Sequence, residues 1–157
     1  MAGETKLSEV VIDTSVVVKW YSEETYSEKA NILRDCHITG TTLLIAPDLI
    51  LYEIANALRY TGELEENEIT ESVIDLFKLK IELITPDSDI IQKTVYHALK
   101  WNITIYDASY IALAELLRIK LITADDKLFK KTKKSGYVLA LSNHIFGDVI
   151  AHDRNLY

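Results

Sequence analysis

A single cysteine, Cys36, in a chain of 157 residues leaves no internal disulfide to form, so a reducing cytoplasm is the expected compartment. Two prolines and five glycines exclude a collagen-like or low-complexity segment and a long linker. No apolar run approaches the roughly 18 residues of a membrane span. The first residues, Met1 to Lys6, lack a basic region followed by an apolar one, so no secretory signal is expected. An excess of positive charge is missing too: 17 Lys and Arg stand against 24 Asp and Glu, a net charge of −7. Bulk electrostatics therefore do not suit this chain to gripping a polyanion, because phosphates are held chiefly by Lys and Arg. Two routes to a phosphate remain open. Carboxylates can be turned into a positive site by a bound cation, or lysines can be concentrated in one place.

What is present is a hydrophobic fraction of 48%, enough to give one domain a real core. Apolar runs that read as buried strands alternate with segments of helical period. The strands are expected at Val10–Ile12, Thr41–Ala46, Leu83–Thr85, Lys120–Ala124 and Val138–Leu141. Helices are expected at Ser27–Cys36, from Leu49 to Arg59 behind an Asp48 cap, and at Ile69–Lys80. Others follow at Ile90–Trp101 behind Asp87, from Asp107 through Leu117, and at Lys127–Lys134. The helical pair between the second and third strands is expected to project from one side as a clip. Residues 102–106 read as an irregular join, and the tail from Asn143 to Tyr157 has no assigned element. No period of 20–50 residues repeats, which excludes a solenoid. The class is α/β, with a central, mainly parallel five-stranded sheet flanked by helices.

Four acids stand out by position. Asp13 follows the strand Val10-Val11-Ile12, and Asp125 follows the strand ending at Ala124. In a parallel sheet both lie past the carboxyl ends of strands, the edge where open α/β sheets collect ligands. Glu53 sits in an apolar helix and Asp107 at a helix start, and both helices can lean over that edge. Taken singly, each acid is explained as a cap, a turn residue or a paired surface group. Together they are four carboxylates that repel one another unless cations enter. Oxygen-only ligation suits Mg²⁺ or Mn²⁺, and such ions support hydrolysis of a nucleic-acid backbone.

The segments Ile12-Asp13-Thr14-Ser15, Pro47-Asp48 leading to Glu53-Ile54-Ala55-Asn56-Ala57-Leu58, Tyr106-Asp107-Ala108-Ser109-Tyr110-Ile111-Ala112-Leu113-Ala114 and Leu121-Ile122-Thr123-Ala124-Asp125 occur in that order. In order and spacing they resemble a PIN domain, most closely the VapC-type toxins of prokaryotic toxin–antitoxin pairs. The resemblance covers nearly the whole chain. It implies a three-layer fold, a metal-dependent endoribonuclease using Mg²⁺ or Mn²⁺, an antitoxin that restrains it, and a homodimer. By the same resemblance Asp13, Glu53, Asp107 and Asp125 are the catalytic and metal-binding acids. Ser15 matches the hydroxyl that supports the first of them, Thr123 the supporting threonine before the last, and Asn56 a polar neighbour of the glutamate. A catalytically silent module of the same fold that binds RNA or protein is the alternative. A phosphorylatable receiver domain would need an acid beside Asp13, and none is there.

Other features carry less. Lys127, Lys130, Lys131, Lys133 and Lys134 follow the last acid and form either a solvated helix face or a phosphate-holding patch, which Arg59 and Lys19 would extend. Asp126 is expected to face solvent. His37, His97, His144 and His152 show no ligand spacing and read as packing or surface residues, and Cys36 as inert. Most of the nine tyrosines and two tryptophans are expected to pack the core, with base stacking as the alternative role.

Overall fold

The computed structural model describes residues 8–143. His144, His152 and all of the tail beyond Asn143, read above from the sequence, lie outside those residues. Five strands, β1 (Ser8–Ile12), β2 (Thr42–Pro47), β3 (Glu82–Ile84), β4 (Lys120–Thr123) and β5 (Val138–Ala140), form one sheet in the order β3-β2-β1-β4-β5. Every pairing is parallel, so the sheet is parallel throughout rather than mainly so. The reason is in the strand sequences. Val11, Ile12, Leu44, Ala46, Leu121 and Ile122 are fully buried, and runs of this kind need cover on both faces.

The helices provide that cover. They are α1 (Thr14–Val17), continued by a 3₁₀ turn at Val18–Trp20, then α2 (Ser27–Ile38), α3 (Ile50–Thr61), α4 (Glu66–Lys78), α5 (Ser88–Trp101), α6 (Ile105–Leu117) and α7 (Asp126–Thr132). Helix α6 packs against β1, β2 and β4, with α5 against it. It is buried from Ala108 through Ala114 without interruption, as suits a helix that is apolar all round. Helix α4 buries only Leu76 completely and lies against α3; the Tyr21 hydroxyl donates to the Ser72 carbonyl at 3.0 Å and ties it to the rest.

The strand order places a switch in the middle of the sheet. From β1 the chain moves outward to β2 and β3, then returns across β1 to β4 and proceeds the other way to β5. Neighbouring strands β1 and β4 therefore feed connections that depart in opposite directions, which opens a crevice beyond their carboxyl ends. In the β1–β4 register Ile12 lies opposite Ile122. The next residues on the two chains are Asp13 and Thr123.

Three local expectations differ from what forms. Asp48 does not cap α3 with its side chain; the N-cap is Leu49, and Asp48 Oδ2 accepts a hydrogen bond from Thr85 Oγ1 at 3.0 Å. Its N–H is also spent, donating to the Ile84 carbonyl at 3.0 Å, so β2–β3 pairing runs one residue past the strand into the turn at Asp48. The irregular join before Asp107 is shorter than expected, because α6 already begins at Ile105 with Thr104 as its cap. The tyrosines, finally, are mostly outside: Tyr26, Tyr52, Tyr60, Tyr96 and Tyr106 are exposed, and Tyr110 is the one fully buried among the described residues.

Candidate active site

Asp13 stands at the end of β1 with 5% exposure, the one carboxylate buried to that degree among the described residues. Its two oxygens are shared between two hydroxyls: Ser15 Oγ donates to Oδ1 and Thr123 Oγ1 to Oδ2, each at 2.5 Å. The hydroxyls are themselves anchored by backbone donors. Ser15 Oγ accepts from Ala124 N at 2.8 Å, and Thr123 Oγ1 from Asp125 N at 3.1 Å. Each hydroxyl has one proton and gives it to Asp13, so the 3.3 Å approach of Ser15 Oγ to Thr123 Oγ1 has no proton of its own. Both hydroxyls thus hold the first acid, Thr123 included although it was expected beside the last, and they stitch β1 to β4 through Asp13. Burial pushes the Asp13 carboxyl up to about 6, against the opposing effect of these two hydrogen bonds.

Glu53 lies in the first turn of α3, half-buried, and Oε1 accepts from Tyr110 OH at 2.5 Å and from Thr14 Oγ1 at 3.1 Å. Burial raises its pKa, and the two hydroxyls partly offset this. Asp107 occupies the third position of α6, and its N–H donates to the Thr104 cap at 3.0 Å. Burial raises its pKa and the charge of Asp125 adds to the rise, while the Thr104 hydroxyl and the Lys131 ammonium oppose it. Asp107 in turn raises both Asp13 and Glu53. It is the charge that couples the other three acids. Asp125 is exposed, and Oδ1 caps α7 by accepting from Lys127 N at 2.9 Å and Leu128 N at 3.0 Å.

Asp107 is thus coupled electrostatically to Asp13, Glu53 and Asp125. Asn56 is exposed on α3 one turn beyond Glu53, and Asp126 is exposed in the first turn of α7. Of the lysines, Lys127 and Lys131 line an open groove with Asp107, Asp125 and Thr104, and Lys131 Nζ also donates to the Asn102 carbonyl at 3.0 Å. Lys130, Lys133 and Lys134 are exposed without lining that groove. Lys19 is taken up elsewhere, pairing with Glu24 at 3.0 Å and donating to the Thr25 carbonyl at 2.8 Å. Arg59 is exposed and sits over the Tyr60 ring. His37 and His97 are packing residues: His37 bridges Leu44 N and the Leu79 carbonyl, and buried His97 lies between Trp101 and Glu115.

Thr14 and Tyr110 are the residues that sequence reasoning passed over. Tyr110 stands in a run of small and aliphatic residues, where it reads as one more core side chain. Its signal was chemical: a buried tyrosine hydroxyl must find a partner.

Whether such a set fits a cation is decided by its donors. Among the described residues no three acidic, histidine or cysteine groups converge to enclose a bare ion. The donors are all carboxylate oxygen, close enough to raise one another's pKa. That combination fits a hard divalent ion that keeps several waters and takes one or two carboxylates, the habit of Mg²⁺.

Comparison with known proteins identifies the family. A family model for the PIN domain matches residues 10–135. Ribonuclease VapC3 of Pyrobaculum aerophilum is 32% identical over 126 residues, covering 78% of this chain and 93% of its own length. Ribonuclease VapC1 of Mycobacterium tuberculosis is 30% identical over 125 residues, covering 78% of this chain and 90% of its own. A chain of a toxin–antitoxin complex from Klebsiella pneumoniae has the same fold, with a TM-score of 0.61 at 16% identity over 84% of this chain and 97% of that one. This chain belongs to the PIN domain family, among its VapC-type proteins.

Proposed function

We propose that the protein is a divalent-metal-dependent endoribonuclease, the toxin of a VapBC-type pair, with Asp13, Glu53, Asp107 and Asp125 as its metal-binding and catalytic acids. The observation that carries this reading is the buried Asp13 at the β1–β4 switch, coupled electrostatically to Asp107 and through it to the other two acids. A fold that needed Asp13 only for a turn would not bury its charge. Both named VapC relatives are ribonucleases, which supports RNA as the substrate.

A bound Mg²⁺ or Mn²⁺ would supply an activated water and neutralise charge developing on the phosphodiester. The residues of the chain do the rest. Ser15 and Thr123 orient Asp13, Tyr110 and Thr14 hold Glu53, and Lys127 and Lys131 offer cations beside Asp107 and Asp125 for the RNA backbone. A cognate antitoxin is the partner this reading includes, supported by the toxin–antitoxin complex that shares the fold. A homodimer and a cytoplasmic location belong to the same reading; among the described residues no helix is long and apolar enough to cross a membrane.

The test is cleavage of total cellular RNA by the purified protein with Mg²⁺, with Mn²⁺ and with EDTA, beside Asp13→Asn and Asp107→Asn. Discrete products that need metal and vanish in both variants are expected. Products that persist in EDTA, or that are the same for wild type and variants, would remove the catalytic reading. RNA binding without cleavage or metal uptake would favour the silent binding module.

The lysines allow a separate measurement. Changing Lys127, Lys130 and Lys131 together to Ala is expected to weaken RNA binding and flatten its salt dependence. On a single strand the slope of log K against log salt should fall by up to about 2, at roughly 0.7 per phosphate contact. An unchanged slope would make these lysines a solvated face only.

A further inference from the structure

One pair of hydroxyls, on buried Tyr110 and half-buried Thr14, has a more specific task. Asp13 receives one hydroxyl on each oxygen, but Glu53 receives both of its hydroxyls on Oε1. Tyr110 is 1% exposed, and its hydroxyl reaches the carboxylate across 57 positions of chain. Thr14 Oγ1 lies 3.1 Å from Glu53 Oε1 and 3.1 Å from Tyr110 OH, so it can reinforce either. Among the described residues no donor reaches Oε2. A carboxylate held on one oxygen loses its freedom to rotate, and its other oxygen keeps its lone pairs and one direction. Ring packing alone would not ask for this. A phenylalanine would fill the same space without a hydroxyl to satisfy.

We propose that Tyr110, assisted by Thr14, is a positioning residue that locks Glu53 through Oε1 and so presents Oε2 to a divalent cation or its bound water. The proposal rests on the functional reading above, in which Glu53 is one of the metal-binding acids. It assigns to α6 a second task besides carrying Asp107. The tyrosine three residues on fixes the acid of α3, so two of the four acids depend on the placement of one helix.

The experiment uses the full chain with Tyr110→Phe, Glu53→Gln and the double variant. Mn²⁺ affinity is measured by calorimetry, the metal-free melting temperature by circular dichroism, and cleavage on total RNA. Tyr110→Phe is expected to weaken Mn²⁺ binding and slow cleavage by roughly 10- to 100-fold, the usual cost of losing a partner that orients a ligand. The metal-free protein should still melt cooperatively, its midpoint lowered by no more than the loss of one hydrogen bond. In the Glu53→Gln background the same change should alter neither affinity nor rate, because the tyrosine acts through that carboxylate. Thr14→Ser should keep wild-type affinity and Thr14→Val should weaken it, which gives a second route if the tyrosine variant folds poorly. Affinity and rate within twofold of wild type for Tyr110→Phe would overturn the clamp while leaving the nuclease intact. An equal loss in both backgrounds would overturn it as well, since the tyrosine would then act through packing. Wild-type affinity and cleavage in Glu53→Gln would instead remove Glu53 from the site, and the clamp with it.

Discussion

Replacing Asp13 by Asn is expected to abolish RNA cleavage, by at least about 100-fold, and at the same time to make the metal-free protein more stable at neutral pH. The two effects have one cause. Folding carries this carboxyl from its ordinary 3.8 up to about 6, so the native state binds a proton more readily than the unfolded chain. The favourable contribution of the protonated form is complete below pH 3.8 and is lost as pH rises to about 6. Above that a buried, ionised Asp13 costs about 3 kcal/mol, taking 1.36 kcal/mol per pKa unit. Asparagine removes the charge but gives up an acceptor for one of the two hydroxyls, at about 1–3 kcal/mol, so the net gain should be about 0–2 kcal/mol. Urea denaturation in EDTA checks this at two pH values. The variant should lead wild type at pH 7.5 and the difference should shrink toward zero at pH 4. Added Mg²⁺ should stabilise wild type and narrow the gap from the other side. A variant less stable than wild type at pH 7.5 would mean that the two hydroxyl bonds outweigh burial.

The residue before it should behave in the opposite way. Ile12 is fully buried on β1, the strand with β2 on one side and β4 on the other. Truncating it to Ala should cost about 2–5 kcal/mol through lost transfer energy and the cavity left behind, whereas Ile12→Val should cost about 0.5–1.5 kcal/mol. Against a typical total of about 5–15 kcal/mol, the larger change takes a substantial part of all the stability available. Denaturant midpoints for the two variants measure it, and a cost below about 1 kcal/mol for Ile12→Ala would show that β1 is not the packing centre. Two adjacent residues, one apolar and one acidic, are thus expected to shift stability in opposite directions. The site is built into the best-packed part of the sheet at a cost the core must cover.

The sheet was readable because its strands are runs such as Leu44-Ile45-Ala46 and Leu121-Ile122, which only a doubly covered strand can use. The edge position of Asp13 and Asp125 follows from that, since both stand directly after such runs. What could not be read was decided by partners far along the chain. Asp48 has the type and place of a helix cap, yet Thr85, 37 positions away, takes its carboxylate. Thr104 rather than Asp107 caps the start of α6, because the threonine hydroxyl reaches forward and accepts from Asp107 N. Tyr110 shares the period of the core residues around it, and periodicity does not register a hydroxyl. The exposed tyrosines were hidden in the same way: helical or strand spacing set the expectation of burial, and the face each occupies determined the outcome.

The stitch between β1 and β4 also sets a timetable. Thr123 lies 110 positions after the Asp13 it holds, and β1 gains its second neighbour only when β4 exists. At about 5–20 residues per second, synthesis separates the two by on the order of ten seconds. During that interval the growing chain carries Asp13, Glu53 and later Asp107, but not the strand that completes the first acid's setting. A nuclease built this way is incomplete on every fragment that stops short of residue 123. For an enzyme proposed to attack its own cell's RNA, the delay confines activity to chains that have finished folding, and that leaves time for a partner to meet them.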